Sequence, residues 1–335
     1  MTSGEHEWAP VEPPVAGRDY PRTWVEFVAR FRDNTACLTY LEKLRWPDGF
    51  VCPSCSTRSE PWRQTRGRLT CPACRHQSTA TAGTIYEKTR TPLPVWFAAA
   101  WQVATAKNGM SAKTLASTLG IRYEDAWSRL HRYRVAMVRA ERQPLAGTVE
   151  VDETLVGGEE HGGKHGRGVE QAIVVIAIEV REPRGFGRVR MRHVPDASGD
   201  SLVPFVCDVV APGTLVHTDG CGGYNKLPDH GYLHERTILS ASPDPAHVAM
   251  PGVHRVASLL KRWILGTHQG SVDPVHLQSY LEEFTFRFNR RTSRSRGLVF
   301  YRLIQQAVKT RPVPQSHVLH GYLWPTTPTG SSRRS

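Results

Sequence analysis

Residues 148–154, Thr-Val-Glu-Val-Asp-Glu-Thr, show the alternation that is typical of a β-strand. Side chains alternate between the two faces of a strand, so Val149 and Val151 share one face while Glu150 and Asp152 share the other. Other strand and helix patterns follow this stretch; the strand patterns lie at residues 172–178, 188–194 and 215–218, and the helix patterns at 201–210 and 275–289. Strands followed by helices around a mixed sheet indicate an α/β layer domain.

Two aspartates, Asp152 and Asp219, are predicted at the ends of adjacent strands. Carboxylates so placed suit Mg²⁺, which binds few protein ligands and keeps positions for water and phosphate oxygens. Two such ions could hold the attacking and leaving oxygens of an in-line phosphoryl displacement. A strand-end Asp also often only caps a turn, so the pair alone is a weak signal. Glu150 shares the face of Asp152 and either tunes a metal or forms a solvated or ion-paired strand residue.

The chain of 335 residues carries a formal net charge of +12 at pH 7. Its length allows two or three domains with a core that needs no disulfides. The longest apolar run, residues 172–178, is too short to span a bilayer, and residues 1–20 do not resemble a secretory signal. We therefore expect a cytoplasmic, nucleoid-associated protein whose polyanionic partner is double-stranded DNA. Three basic segments, 52–92, 93–143 and 254–312, favour a long DNA track.

Four of the seven cysteines form two CxxC pairs, Cys52 with Cys55 and Cys71 with Cys74. Four thiolates at this spacing predict a tetrahedral structural Zn²⁺ site in a zinc ribbon. Two disulfides or a redox pair are the alternatives, which a reducing compartment disfavours. The other three cysteines are expected to be buried thiols; they are Cys37, Cys207 and Cys221.

A helix-turn-helix is predicted after the ribbon, with Ser111 capping its first short helix and Gly120 making the turn. An ordinary helical hairpin is the alternative. The residues expected to contact DNA from this motif are Lys113, Arg122, Tyr123, Arg129 and Arg132, of which the last four are placed on or near the outward face of the second helix. Two further sets are expected to contact phosphate: Lys164 and Arg167 in a glycine-rich loop, and Arg262, Arg287, Arg290 and Arg291 near the C-terminus.

The predicted organisation has six segments. They are a flexible N-terminus at 1–20, a helical segment at 21–46, the zinc ribbon at 47–92, the helix-turn-helix domain at 93–143, the catalytic domain at 145–312 and a disordered tail at 313–335.

Three blocks of the sequence resemble those of a prokaryotic insertion-sequence transposase family. They are residues 149–158, residues 217–220 with Tyr224, and residues 280–291, Tyr-Leu-Glu-Glu-Phe-Thr-Phe-Arg-Phe-Asn-Arg-Arg. The family joins a zinc ribbon and a helix-turn-helix to a DDE-type, RNase H-like nuclease domain, and the same modules occur here in that order. The resemblance therefore implies a multidomain fold, in which a small zinc ribbon and a helical DNA-binding domain precede an α/β RNase H-like catalytic domain.

The resemblance also implies a mechanism and partners. Asp152 and Asp219 match the family's two aspartates and would bind Mg²⁺ or Mn²⁺, as two ions. Metal-activated water hydrolyses a phosphodiester at the end of the element, and the freed 3′-hydroxyl attacks target DNA. Joining two element ends implies a homo-oligomer, a dimer or larger.

The third site residue departs from the family, in which Glu or Asn stands about 35 residues after the second Asp, with Lys or Arg seven residues later. Here His254 takes the first position (254 − 219 = 35) and Lys261 the second. Seven residues are two helical turns, so both side chains could face one phosphate. His254 acts as a ligand or proton-transfer group, or Glu282 or Glu283 completes the site instead, or the site is impaired. The alternative to an active enzyme is thus a DNA-binding protein that retains the fold; a zinc-ribbon transcription factor ranks last, because it needs no strand-borne aspartates.

Overall fold

The computed structural model describes residues 13–139, 141–157, 171–181, 183, 185–237, 249–270 and 272–321. Lys164 and Arg167, predicted to contact phosphate from the glycine-rich loop, lie outside the described residues. Within the described ranges, no helix is long and apolar enough to cross a bilayer.

The N-terminal part contains two short helices and a small antiparallel sheet. Thr23 and Asp33 cap the helices, because their side chains accept from Glu26 N at 3.2 Å and Ala36 N at 2.8 Å. The sheet order is β1-β2-β3. The elements are α1 (Trp24–Arg30), α2 (Asn34–Arg45), β1 (Trp62–Arg63), β2 (Arg68–Thr70) and β3 (Gln77–Thr79).

Three helices form the predicted helix-turn-helix region. Ser111 Oγ accepts from Thr114 N at 3.1 Å, and Gly120 adopts φ 62°, as both capping predictions require. Ala126 and Leu130 are buried between the helices. The helices are α3 (Leu93–Thr105), α4 (Ala112–Leu119) and α5 (Tyr123–Ala136).

A five-stranded mixed sheet follows, with the order β6-β5-β4-β7-β8. β4, β5 and β6 are antiparallel neighbours, whereas β4, β7 and β8 run parallel. The four strands predicted from the sequence are all present, and the polar edge strand β8 was not predicted. The strands are β4 (Thr148–Val156), β5 (Ala172–Val180), β6 (Phe186–Val194), β7 (Leu215–Asp219) and β8 (Leu233–Thr237).

Helices cover both faces of this sheet, which confirms the α/β layer architecture. Val149 and Val151 pack with Phe205 of the helix on one face. Ile176 and Ile178 pack with the two helices on the other face. The helices are α6 (Gly199–Val209), then α7 (Pro251–His268) and α8 (Pro274–Phe288).

The last two helices, α9 (Arg296–Ala307) and α10 (Gln315–Leu319), leave the sheet and join the N-terminal core. Phe300 of α9 lies 5.5 Å from Phe27 and 6.1 Å from Phe97, measured between ring centroids. The predicted boundary at residue 312 therefore does not follow the packing.

Both ends of the described chain are more ordered than predicted. Val313 and Val318 are buried, so residues 313–321 do not form a disordered tail. Tyr20 is also buried, and Ala16 forms a β-bridge with it, which contradicts a flexible segment over residues 13–20. Residues 1–12 and 322–335 lie outside the described ranges.

Candidate active site

The parallel register of β4 and β7 brings the two predicted aspartates together. Val151 is paired with Thr218, so the residues that follow them, Asp152 and Asp219, lie side by side. β7 ends at Asp219, but β4 continues to Val156, so Asp152 lies within its strand and not at the predicted strand end. Asp152 Oδ1 accepts from Glu153 N at 2.8 Å, and Asp219 Oδ1 accepts from Cys221 N at 2.9 Å. Both carboxylates are therefore held by backbone amides.

Glu153 is a third member of this cluster that sequence reasoning did not include. One ligand oxygen from each of Asp152, Glu153 and Asp219 lies within 4.8 Å of the other two. Burial raises the pKa of Glu153 to about 7; the Tyr224 hydroxyl opposes the rise, and the charges of Asp152 and Asp219 add to it. Burial also raises the pKa of Asp152, and the charge of Asp219 contributes. Three half-buried carboxylates so close together form an oxygen donor set that fits Mg²⁺ or Mn²⁺.

Glu150 fixes the start of helix α7 against the sheet. Its side chain is buried, and Oε2 accepts from Val253 N at 2.9 Å. Burial raises the pKa of Glu150, and the N–H groups of Val253 and Gly252 oppose that rise. A carboxylate at the first turn of a helix is favourable, because it satisfies backbone amides that have no partner within the helix. Glu150 is therefore buried and makes no ion pair within the described residues; it holds α7.

His254 and Lys261 lie on this helix, one continuous α-helix as their spacing predicted. Interaction with His254 lowers the pKa of Asp152, against the larger effect of burial, which raises it. His254 Nε2 is buried and has no hydrogen-bond partner among the described residues. Its ring nitrogens nevertheless do not belong to the mutually close set of ligand atoms found in the described chain. Lys261 is exposed.

The four predicted zinc ligands also come together. Cys52, Cys55, Cys71 and Cys74 place their sulfur atoms within 4.8 Å of one another, and all four are free thiols. Four thiolates in this arrangement fit a structural Zn²⁺ and not two disulfides. Of the other cysteines, Cys37 is buried as expected, whereas Cys207 is exposed and Cys221 is half-exposed.

Comparison with known proteins gives two family matches. The model described as "ISXO2-like transposase domain" matches residues 144–289, and the model described as "Transposase zinc-ribbon domain" matches residues 32–77. The chain therefore contains both domains of this family of insertion-sequence transposases. It is also 26% identical, over 279 residues, to a protein of Halobacterium salinarum described as "Uncharacterized protein in transposable element ISH50". That alignment covers 78% of this chain and 92% of the relative.

The match to the transposase domain ends one residue after α8, where the chain leaves the sheet. The three helices of the helix-turn-helix region lie between the two matched stretches. The similarity to transposases therefore covers the ribbon, and the sheet with its covering helices α6, α7 and α8.

Glu282 and Glu283 do not complete the acidic site of the transposase. Glu283 Oε2 accepts from Arg134 Nε at 2.8 Å, and the two side chains are 0% and 1% exposed. Glu282 forms an ion pair with Arg142. Both carboxylates are thus used at the junction between α8 and the helix-turn-helix region, and the prediction that one of them is the third site residue is wrong.

The arginines at the C-terminal end of α8 donate hydrogen bonds to backbone carbonyl oxygens. Arg287 donates to the carbonyls of Val103, Ala106 and Lys107 at 2.7–3.0 Å. The guanidinium of Arg290 donates to Phe286 O at 3.1 Å and lies over the ring of the same residue.

Arg291 donates to Gly187 O at 3.1 Å and Phe288 O at 3.0 Å. Arg291 thus ties the end of α8 to β6, as Arg287 ties α8 to the end of α3, whereas Arg290 contacts its own helix. The three do not form the free phosphate-binding run that the sequence predicts. Arg262, in contrast, is exposed on α7.

The helix-turn-helix residues divide into two groups. Lys113, Arg122 and Tyr123 are exposed at α4 and the start of α5. Arg129 is only 5% exposed and donates to Thr91 Oγ1, so it does not lie on the outward face predicted for it. Arg132 is half-buried and donates to Gln315 Oε1 at 3.0 Å and to Val313 O at 3.3 Å. It therefore ties α5 to the C-terminal segment.

The contact between Glu150 and α7 makes Gly252 sensitive to substitution. A Cβ at Gly252 would lie 2.8 Å from Glu150 Oε2 and 3.0 Å from Ile178 Cγ2, so Gly252→Ala must displace either the start of the helix or the Glu150 carboxylate that holds it. We expect a loss of stability of about 1–3 kcal/mol, measured by thermal unfolding. The matched control is Gly266→Ala on the same helix, where nothing lies within 4 Å of the new methyl group. Because Ala is the better helix former, the control should gain stability; equal behaviour of the two variants would contradict the proposed close fit.

Proposed function

We propose that this transposase binds the terminal inverted repeats of its insertion sequence and cuts them by metal-dependent phosphodiester hydrolysis, followed by strand transfer. The observation that carries the proposal is the cluster of Asp152, Glu153 and Asp219, whose carboxylate oxygens converge on adjacent parallel strands. The cluster forms in a domain whose family match is to a transposase.

Each residue of the site has a separate role in the proposed reaction. Asp152 and Asp219 would hold divalent cations, with Glu153 as the third oxygen donor. When bound, such cations would activate the attacking water and stabilise the oxygen that leaves the phosphorus. His254, whose buried Nε2 has no hydrogen-bond partner among the described residues, transfers a proton to or from the reacting oxygens. Lys261 and Arg262, exposed on the same helix, contact the phosphates next to the bond that is cut.

The helix-turn-helix recognises the terminal inverted repeats. Arg122 and Tyr123 stand at the start of α5, where residues of a recognition helix reach the edges of bases in the major groove. The Arg122 side chain is 79% exposed and Tyr123 is 52% exposed. Lys113 on α4 is placed to contact the backbone. Since two ends must be joined to one target, the active species is a homo-oligomer on DNA.

The test is cleavage of linear DNA that carries the inverted repeats flanking the gene. The purified protein should cut at the repeat tips in Mg²⁺ or Mn²⁺ and not in EDTA, while a repeat-sized duplex is bound in all three conditions. A duplex of the same composition in scrambled order is the control, and it should be bound more weakly and left uncut.

Specific binding without cleavage in either metal would support the second candidate, a DNA-binding protein that retains the transposase fold. The observation in its favour is that His254 occupies the position of an acid and its nitrogens stand outside the set of mutually close ligand atoms in the described chain.

A further inference from the structure

A cleft of about 730 Å³ lies between the zinc ribbon, α2 and the segment that leads into α3. Its shape is set by direct packing. The turn between β1 and β2 contains Arg66 at φ 60° and Gly67 at φ 69°, and a Cβ at Gly67 would lie 2.7 Å from Leu38 Cδ1 of α2. The turn thus rests on α2, and only glycine permits that approach.

The charge of this ribbon cleft is strongly positive. Four arginines line it, against one acid, Glu42; they are Arg63, Arg66, Arg68 and Arg90. Arg63 is neutralised, because its Nη2 lies 2.7 Å from Glu42 and 3.4 Å from Glu60. Within the described chain the other three make no ion pair, and all three are exposed. Three uncompensated guanidinium groups facing one cleft favour an anionic ligand.

The uncharged lining offers hydrogen bonds of the kind that phosphate oxygens accept. The polar side chains, besides the arginines and Glu42, are Asn34, Thr35, Thr39, Gln64, Thr81, Thr89 and Thr91. Hydroxyl, amide and guanidinium donors without a carboxylate partner suit phosphodiester groups. The lining includes no aromatic side chain on which a base could stack. This combination favours the backbone of a nucleic acid over its bases.

The cleft is tied to the helix-turn-helix. Thr91 on its rim accepts from Arg129 of α5, and Thr89 accepts from Trp96 Nε1 of α3 at 2.9 Å. Arg129 lies 5.5 Å from the ring centroid of Trp96, and its Nε and Nη1 have no hydrogen-bond partner in the described residues. The charge of Arg129, whose Nη1 lies 4.0 Å from Asp125 Oδ1, is therefore buried behind the wall of the cleft. Arg129 stands seven residues after Arg122, about 10 Å along α5, so the rim lies roughly that far along the helix axis from the side chains proposed to read bases.

We infer that the ribbon cleft binds the phosphate backbone of the DNA duplex beside the segment read by α5, through Arg66, Arg68 and Arg90. This inference rests on the DNA binding in the proposed function and extends it, because it gives the ribbon a ligand site besides its zinc. The contacts are to phosphates, so they add affinity on every sequence and lengthen the protected segment without changing which bases are read.

The test compares the triple variant Arg66→Ala, Arg68→Ala, Arg90→Ala with the wild type. Dissociation constants are measured by fluorescence anisotropy, from 50 to 200 mM salt, on the repeat duplex and on a scrambled duplex. We expect affinity for both to fall by about tenfold or more, with the salt slope reduced by roughly 0.9 for each phosphate that the variant no longer neutralises. Hydroxyl-radical footprints should shorten on one flank only. The corresponding triple Lys variant should recover most of the affinity.

Two controls make the result interpretable. Arg32→Ala removes a charge from the nearby turn before α2, where the side chain is 80% exposed and outside the cleft, and it should leave affinity and footprint unchanged. Zinc content should stay at the wild-type value in every variant, which shows that the ribbon is folded.

Unchanged affinity, salt slope and footprint in the triple variant, together with weaker binding by Arg122→Ala, would overturn the ribbon cleft and leave the proposed function standing. If the wild type binds neither duplex, the proposed function fails and the inference fails with it.

Discussion

Asp219→Asn should lower DNA cleavage by on the order of 10³-fold or more and leave binding of the repeat duplex unchanged, because stabilisation by a metal amounts to several kcal/mol. The substitution removes a charge and keeps the shape. Asp219 Oδ1 accepts from Cys221 N, and an Asn side chain can accept the same hydrogen bond. The measurement is single-turnover cleavage in Mg²⁺ and in Mn²⁺, beside a binding titration.

The same assay decides the third site residue. Asp152→Asn should match Asp219→Asn. Glu153→Gln should fall nearly as far if Glu153 completes the metal site, as the convergence of the three carboxylates indicates. His254→Ala should give a smaller loss, about 10²–10⁴-fold at most, which is the range of proton transfer by a side chain.

Asp229→Asn is the matched control, because Asp229 is exposed in a turn of the same domain. It should cut as the wild type does. Full cleavage activity of Asp219→Asn would contradict a catalytic role of the acidic cluster. Full activity of Glu153→Gln, together with loss of activity in His254→Ala, would show that His254 and not Glu153 is the third site residue.

The aspartates could be predicted because each belongs to a strand pattern and because both match motifs of the transposase family. Glu153 could not, since its Cα places it on the face opposite to Asp152. Its side chain is long enough to reach the cluster where β7 ends, and that depends on the register of two strands far apart in the chain. Four consecutive positions of β4, from Glu150 to Glu153, thus hold α7, pack the core and form the acidic cluster.

For the arginines, the sequence does not show which hydrogen-bond partners each charged side chain finds in the fold. A dense run such as Arg287, Arg290 and Arg291 reads as a phosphate-binding surface, because sequence gives their charge and not their neighbours. In the fold, carbonyl groups at the end of α3 and along β6 come within reach, and Arg287 and Arg291 donate to them. Packing also decides that α9 belongs with the N-terminal helices, although it follows the catalytic domain in sequence.

Helices α5 and α8 are joined by a buried ion pair. Arg134 and Glu283 are 1% and 0% exposed, and the Arg134 guanidinium lies 3.9 Å from the centroid of the Tyr280 ring. Arg287 Nη1 is 3.9 Å from Glu283 Oε1 and also donates to Val103 O of α3. Helix α5, which follows Arg122, is therefore fixed to the catalytic domain by an ion pair that is almost fully buried.

Glu283→Ala should destabilise the protein by about 3–5 kcal/mol, because it leaves Arg134 as a buried charge without its partner. Thermal unfolding should show a fall in Tm on the order of 10 °C. The double variant Arg134→Met, Glu283→Leu removes both charges and should recover most of this loss, since a buried ion pair is worth little more than apolar residues of similar volume. Glu60→Ala, which removes a carboxylate that is 82% exposed from an ion pair with Arg63, should leave Tm unchanged.

Cleavage by the double variant separates stability from geometry. If the ion pair only stabilises, the double variant should cut at the wild-type position once it is folded. If Arg134 and Glu283 also set the angle between α5 and the acidic cluster, the refolded variant should bind the repeat normally and cut at shifted positions. A Tm for Glu283→Ala equal to that of the wild type would show that the charge of Arg134 reaches water, against its burial in the structure.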